Sequence, residues 1–305
     1  MTKTTKAATT LALGAAIILL AAWGDAGHRM TGEAAALSMP GSTPAFFRNA
    51  SRQLGYLNPE PDRWRERAER TMDPALDGAT APDHFVDLDM VAPEVFAAAL
   101  KAPNRYAYAD TLRIRGHVDA ATFGFSPFRM LEMAQELRVE FRLWRNAPDS
   151  LKPYIEARIV DVAGVLGHYV ADGSNPLHVS DQYNGWTRDN PNGYATDKQT
   201  HSRFESGYVG RQIKLGDIMA KMDTNARVLP DFRSAIVEYL RGSNAQVIPF
   251  YQLDKASRFD TNTTAAVNKA FTVDRLVYGA KMLRDIWYTA WVTSAQPAGR
   301  GRGGD

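Results

Sequence analysis

The stretch SLKPYIEARIVDVAGVLGHYVADG, from Ser150 to Gly173, decides the fold class. Ser150 is a favourable N-cap residue and Gly173 a common helix stop, and apolar residues recur between them at three- and four-residue intervals. This pattern predicts a packed α-helix.

Other parts of the chain repeat this helical pattern. In STPAFFRNASRQLG, Thr43 is a predicted N-cap, Pro44 a first helical residue and Gly55 a stop. The same apolar spacing recurs over residues 128–145, 231–253 and 265–295, and no stretch alternates as a strand would. We therefore predict an all-α protein with a single, mostly helical domain.

Composition limits the classes of site. The 305 residues, 45% of them hydrophobic, suffice for a substantial core. The chain has no cysteine, so a disulfide framework and a thiolate metal site are both excluded. Any metal must bind to nitrogen and oxygen ligands, which suit zinc and other first-row ions.

The first 22 residues resemble an export signal. Lys3 and Lys6 precede the apolar stretch LALGAAIILLAA, and small residues precede Trp23. We predict cleavage after Ala22 and a periplasmic or secreted protein; an uncleaved membrane anchor is the alternative. Cleavage would reduce the 36 basic residues to 34, equal to the 34 acidic ones. A neutral chain gives no support to tight, sequence-independent duplex binding.

Two pairs of residues with helical spacing point to metal binding. His168 and Asp172 are four residues apart, so a helix places them on one face, and His201 and Glu205 repeat the arrangement. Pro176 favours an extended turn that lets His178 return to the same region. The alternative for any one of these residues is a buried, hydrogen-bonded polar group. Jointly they favour metal, because burying several imidazoles and carboxylates is costly unless they coordinate or pair.

The chain resembles a known superfamily, the zinc-dependent phospholipases C and the fungal single-strand-specific zinc nucleases. The resemblance rests on WGDAGH from Trp23, DHFVDLD from Asp83, GHYVADGSNPLH from Gly167 and HSRFE from His201, in the family's order. It implies a mostly helical domain that holds three zinc ions, one of them bound by the amino group and carbonyl of an N-terminal Trp.

The resemblance also implies a role for each ligand. Asp172 would bridge the zinc of Trp23 and His28 to a second zinc. An upstream carboxylate would complete that second site; our choice is Asp62, which would also accept the proton of the attacking water, and Glu69 and Asp73 are alternatives. The implied metal ligands are Trp23, His28, Asp62, His84, His168, Asp172, His178, His201 and Glu205.

The resemblance implies phosphodiester hydrolysis but leaves the substrate open. WGDAGH is similar to the nuclease branch, whereas HSRFE, ending in Glu, is similar to the phospholipase branch. We favour a nuclease or 3′-nucleotidase acting on single-stranded nucleic acid or nucleotides; the alternatives are a phospholipase C that takes a phospholipid head group, and a non-catalytic zinc-binding exported protein. The aromatic residues Tyr183, Trp186 and Tyr194 would stack on the substrate or pack within their loop.

The predicted organisation is a signal peptide at 1–22, a trinuclear-zinc hydrolase domain at 23–294 and a disordered tail at 295–305. The tail is rich in Gly and Arg, and a solvated tail is favoured over an RNA tether. No motif indicates a dedicated protein partner, so we expect a monomer.

Overall fold

The structure is a computed structural model that describes residues 24–295. The predicted signal peptide, Trp23 and residues 296–305 lie outside the described residues. Between residues 24 and 295 the chain contains helices and no β-strand, which confirms the all-α prediction. In that range, no helix is both long enough and apolar enough to span a bilayer.

Six helices of ten or more residues, together with several shorter ones, build the core around the metal-ligand candidates. The seventeen α-helices of the described residues are α1 Gly24–Leu37, α2 Ala45–Asn49, α3 Ser51–Leu57, α4 Glu60–Arg63, α5 Arg67–Met72, α6 Ala75–Thr80, α7 Pro93–Ala99, α8 Arg105–Thr111, α9 Ala120–Phe123, α10 Ser126–Asn146, α11 Lys152–Ser174, α12 Thr200–Ser202, α13 Gly210–Gln212, α14 Leu215–Met219, α15 Phe232–Asn244, α16 Val247–Ala256 and α17 Ala266–Thr293. Short 3₁₀ turns cover Ala81–His84, Leu88–Met90 and Pro176–His178, and π-helical segments cover Leu112–Gly116 and Arg203–Val209.

Helix α11 is the central element. Its C-terminal two-thirds are almost entirely buried, and it packs against α1, α3, α10 and α17. Trp287 of α17 is fully buried, donates a hydrogen bond to the carbonyl of Ala163 (3.2 Å) and packs edge-on against Phe47. A helix surrounded on all sides buries its whole circumference, so α11 can place polar side chains only where they find partners.

The predicted helix at Ser42–Gly55 differs from the observed one. Pro44, not Thr43, is the N-cap residue of α2. The helix is interrupted at Ala50, and α3 then continues through Gly55 to Leu57. Gly55 does not stop the helix; instead it allows close packing, because an added Cβ would lie 3.0 Å from the carbonyl oxygen of Arg29 in α1. Gly173 likewise lies within α11, which ends one residue later.

Candidate metal centre

The described candidate ligands come from separate elements that converge on the C-terminal end of α11. Helices α1 and α4 carry His28 and Asp62, the 3₁₀ turn after α6 ends at His84, and α11 carries His168 and Asp172. The remaining ligands are His178 in the turn after α11, His201 in α12 and Glu205 in the π-helical segment. Six of the eight are buried, and Asp62 and His201 are partly buried.

These residues form three groups in which one ligand atom per residue lies within 4.8 Å of the others. The first cluster is His28, His168 and Asp172; the second cluster is Asp62, His84 and His168; the third cluster is His178, His201 and Glu205. The separations of the ligand atoms in all three clusters are compatible with metal binding, and the first two clusters share His168.

Asp172 directs its two carboxylate oxygens to different imidazoles. Oδ1 lies 3.3 Å from Nε2 of His28, whereas Oδ2 lies 3.2 Å from Nε2 of His168 and 3.4 Å from Nδ1 of His84. Oδ1 of Asp62 lies 3.8 Å from the same two nitrogen atoms of His168 and His84. Bonds of ~2.1 Å in a tetrahedral site place neighbouring ligand atoms ~3.4 Å apart, close to these separations.

The third cluster is similarly compact. Nε2 of His201 lies 2.7 Å from Oε2 of Glu205, four residues later, and Nε2 of His178 lies 3.0 Å from Oε1. The two Nε2 atoms are 3.1 Å apart. The segment that carries Glu205 is π-helical rather than α-helical, and such segments are common at functional sites.

Hydrogen bonds from the far side of three imidazoles fix the orientation of their rings. Nδ1 of His28 donates to Oδ1 of Asn58 and Nδ1 of His168 donates to the carbonyl of Asn58, both at 3.0 Å. Nδ1 of His178 donates to the carbonyl of His84 at 2.8 Å. In each case Nε2 faces a cluster, and in the neutral imidazole it carries the lone pair that a metal would bind; a hydrogen bond at the far nitrogen is the usual support of a metal-binding histidine.

Several buried atoms of the clusters have no hydrogen-bond partner. Both oxygens of Asp62, both oxygens of Asp172 and Nε2 of His28 are in this state. Unpartnered buried polar atoms are rare in folded proteins, and here they concentrate where a cation would satisfy them. Imidazole-rich donor sets favour zinc, copper, iron or nickel over calcium or magnesium, which prefer oxygen ligands. The residues therefore fit a first-row transition-metal ion, a class that includes zinc.

In the metal-free clusters, burial and neighbouring charged groups shift the pKa values of several ligand side chains. Burial raises the pKa of Asp62 to about 7. Burial also opposes ionisation of Asp172, but His178 and His168 outweigh it and hold the Asp172 pKa well below its usual range. At His178, burial lowers the pKa, and the carboxylates of Asp172 and Glu205 overcome this effect and raise it to about 10. Burial and the neighbouring His28 lower the pKa of His168 to about 3.

A cavity of about 670 Å³ opens beside the second and third clusters. His84, His178, His201 and Glu205 contribute to its wall. Tyr183 also lines it, half exposed, with its ring edge-on to His201 at 5.8 Å.

Two of the three aromatic residues that are expected to contact the substrate, Trp186 and Tyr194, do not line this cavity. Tyr194 is buried and packs against Trp186 and Tyr251, with ring centroids 5.0 and 5.5 Å away. The indole N–H of Trp186 donates to the carbonyl of Asp189. The rings of Trp186 and Tyr194 pack the loop against α16, which agrees with the loop-packing alternative, and of the three aromatic residues only Tyr183 lines the cavity.

The remaining sequence candidates are placed as follows. Asp62 joins the second cluster, whereas the alternatives Glu69 and Asp73 are exposed on α5 and at its end. Asp73 accepts a hydrogen bond from the backbone N–H of Ala75. Trp23 lies outside the described residues.

The sequence interpretation missed four residues beside the clusters. Asn58 supports two imidazoles, while Arg65, Phe85 and Asp87 line the cavity. Phe85 and Asp87 fall within the quoted motif DHFVDLD, and Arg65 follows Asp62 by three residues, in the turn after α4. Asn58 has no local signal, since its role depends on the packing of α3 against α1 and α11.

Comparison with protein-family models, with curated proteins and with solved structures found no match to this chain.

Proposed function

We propose that this chain is an exported zinc-dependent phosphodiester hydrolase, a nuclease or 3′-nucleotidase that acts on single-stranded nucleic acid as a monomer. The observation that carries the proposal is the opening of the second and third clusters onto one cavity. Buried imidazoles and carboxylates in a closed site would suit a purely structural ion, whereas ligands in a cavity wall are accessible to substrate.

The proposed ligand set assigns three zinc ions. His28 and the amino terminus at Trp23 would hold one, Asp62, His84 and His168 would hold the second, and Asp172 would contribute to both. His178, His201 and Glu205 would hold the third. Zinc supplies, when bound, charge that neutralises phosphate oxygens and lowers the pKa of water toward neutrality.

The side chains beside the clusters have separate tasks in this proposal. Asp62, 3.8 Å from the nearest nitrogen atoms of His84 and His168, would accept the proton of the attacking water. Arg65, held by Asp77 at 3.0 Å, presents its guanidinium group to the phosphate. Catalysis then needs no nucleophilic side chain, in agreement with the absence of a nucleophile-elbow motif from the sequence.

The cavity wall favours a nucleotide. Phe85 and Tyr183 offer ring faces or edges to a base, and Asp87 and Asn184 offer hydrogen-bonding groups to its polar edge. The cations Arg65 and Lys198 in the same wall suit a polyanion better than a zwitterionic lipid head group.

A zinc-dependent phospholipase C is the second candidate. The same aromatic residues, Phe85 and Tyr183, together with the carboxylate of Asp87 also fit a quaternary ammonium group. Burial raises the pKa of Asp87 to about 7, so the charge that would attract choline is incomplete at neutral pH.

Metal analysis and parallel assays test the proposal. The mature protein should contain about three zinc ions per chain after zinc-replete purification, one for each of the three proposed ligand sets. Initial rates are then measured on single-stranded DNA, 3′-nucleotides and phosphatidylcholine, with and without chelator. Hydrolysis of phosphatidylcholine alone supports the phospholipase, and zinc without hydrolysis of any substrate supports a non-catalytic protein.

A further inference from the structure

Lys198 is an unusual residue of the cavity wall. Its backbone is left-handed (φ 56°), and His117 is the only other non-glycine residue in the described range with a positive φ. Left-handed backbone is unfavourable for a lysine, and such residues concentrate at binding sites, where the surrounding structure holds them in place.

The turn around Lys198 is held from both sides. Asp197 accepts a hydrogen bond from the N–H of Gln199 (3.0 Å) and forms an ion pair with Arg258. On the other side, the N–H of His201 donates to Oδ1 of Asn184 at 3.3 Å. These contacts fix the backbone of the turn and leave the Lys198 side chain exposed.

The charge of Lys198 is uncompensated. No ion pair or hydrogen bond of its ammonium group is found in the described structure, whereas Arg65, the other cation considered above, pairs with Asp77. Lys198 is exposed and lines the cavity, three residues before His201 of the third cluster. An exposed, unpaired cation held beside a hydrolytic site fits an anion outside the reacting group.

We propose that Lys198 binds the phosphate next to the scissile one in a single-stranded oligonucleotide and thereby favours polymeric substrates over mononucleotides. This inference rests on the proposed nuclease function. A mononucleotide has no second backbone phosphate at this position, so only an oligonucleotide gains the charge-assisted contact.

Kinetics of Lys198→Asn test the inference, because Asn tolerates left-handed backbone and removes the charge. For a short single-stranded oligodeoxynucleotide, KM should rise about five- to tenfold, as expected for one lost phosphate contact. The rise should exceed any change for a 3′-mononucleotide at least severalfold, and kcat should change less than KM. The dependence of log KM on log salt should fall by about 0.7, the value for one phosphate of a single strand.

Two further variants complete the experiment. Lys198→Arg keeps the charge, so its KM should stay near that of the wild type. Lys101→Asn removes an exposed lysine outside the cavity and controls for the change in net charge. Thermal denaturation verifies that each variant is folded. If the wild-type protein cleaves the oligonucleotide and Lys198→Asn changes both substrates equally or neither, the inference is overturned while the proposed function stands. If the wild type cleaves no nucleic-acid substrate, the proposed function fails, and the inference fails with it.

Discussion

Asp172 connects the first two clusters at the scale of single residues. One of its oxygens faces His28, and the other faces His84 and His168, so its negative charge lies between two groups of nitrogen ligands. It is fully buried, and neither oxygen has a hydrogen-bond partner. Glu205 contributes to the third cluster alone, and Asn175 donates a hydrogen bond to it.

This difference predicts unequal effects of two isosteric variants. Asp172→Asn removes the charge that would offset two dications and should lower kcat/KM about a thousandfold or more. Glu205→Gln weakens one site and should cost about ten- to a hundredfold. Rates and zinc content of both purified variants provide the measurement. Equal, mild losses would argue against a bridging Asp172.

The protonation state of His178 predicts that zinc binding releases protons. Without metal its pKa is raised to about 10 by Asp172 and Glu205 against the effect of burial, so it is protonated at pH 7. A metal needs the neutral imidazole, and zinc uptake at pH 7 should therefore release about one proton from this site. Asp62, with a pKa of about 7, adds a fraction of a second proton.

Because zinc displaces these protons, the affinity for zinc should increase as the pH rises from 6 toward 9. Calorimetric titrations of chelator-treated protein in buffers of different ionisation enthalpy measure the number of protons released. Glu205→Gln, which removes one cause of the raised His178 pKa, should release fewer protons. Zinc uptake without proton release at pH 7 would contradict the assigned charge of His178.

At the scale of helices, close packing of α1, α3 and α11 brings the first cluster together. A Cβ on Gly32 of α1 would lie 2.8 Å from Nδ2 of Asn58, and a Cβ on Gly167 of α11 would lie 2.3 Å from the same atom. The rings of His28 and His168 stack at 4.1 Å because the helices approach this closely. Asn58, at the end of α3, is wedged between them.

A substitution at Gly167 should therefore affect both stability and metal. Gly167→Ala forces Asn58 or α3 to move and should lower the free energy of unfolding by about 1–3 kcal/mol, the usual cost of overpacking. It should also reduce zinc content, because Asn58 orients two ligands. Gly216→Ala in α14 is the matched control: nothing lies near its Cβ, and alanine favours helix by up to about 1 kcal/mol. Denaturant unfolding with metal analysis separates the two effects, and equal stability of both variants would refute this packing role.

Sequence periodicity predicts the long helices but not these contacts. The spacing of His168 and Asp172 fixes their common face wherever α11 lies. The segment after Pro176 is a 3₁₀ turn rather than the predicted extended turn, and it brings Nδ1 of His178 to 3.7 Å from Oδ1 of Asp172. The predicted helix stop at Gly55 is wrong because a close helix crossing selects glycine as readily as a helix boundary does. The π-helical segment at Glu205 and the role of Asn58 arise from tertiary packing, which local sequence does not encode.

At the scale of the whole molecule, the first residue of α1 lies against the segment that contains Glu205. Gly24, the first residue of α1, is buried with a left-handed backbone (φ 56°), and an added Cβ would lie 3.0 Å from the carbonyl oxygen of Glu205. Helix α1 therefore begins against the segment that carries a ligand of the third cluster, while His28, one turn later, belongs to the first.

The proposed role of the amino terminus gives the final prediction. If the amino group of Trp23 binds zinc, a protein that starts at Trp23 should hold about three zinc ions and be active. The same protein with a single Met in front should lose one zinc and most of its activity, because an amide nitrogen inside the chain has no lone pair to donate to a metal. His28 is present in both forms, so the difference between them reports on the terminus alone. Zinc content and rates on single-stranded DNA are compared side by side, with thermal denaturation to show that both forms are folded. Full zinc content and full activity of the Met-extended form would exclude Trp23 as a ligand and favour a two-metal centre built from the second and third clusters with Asp172.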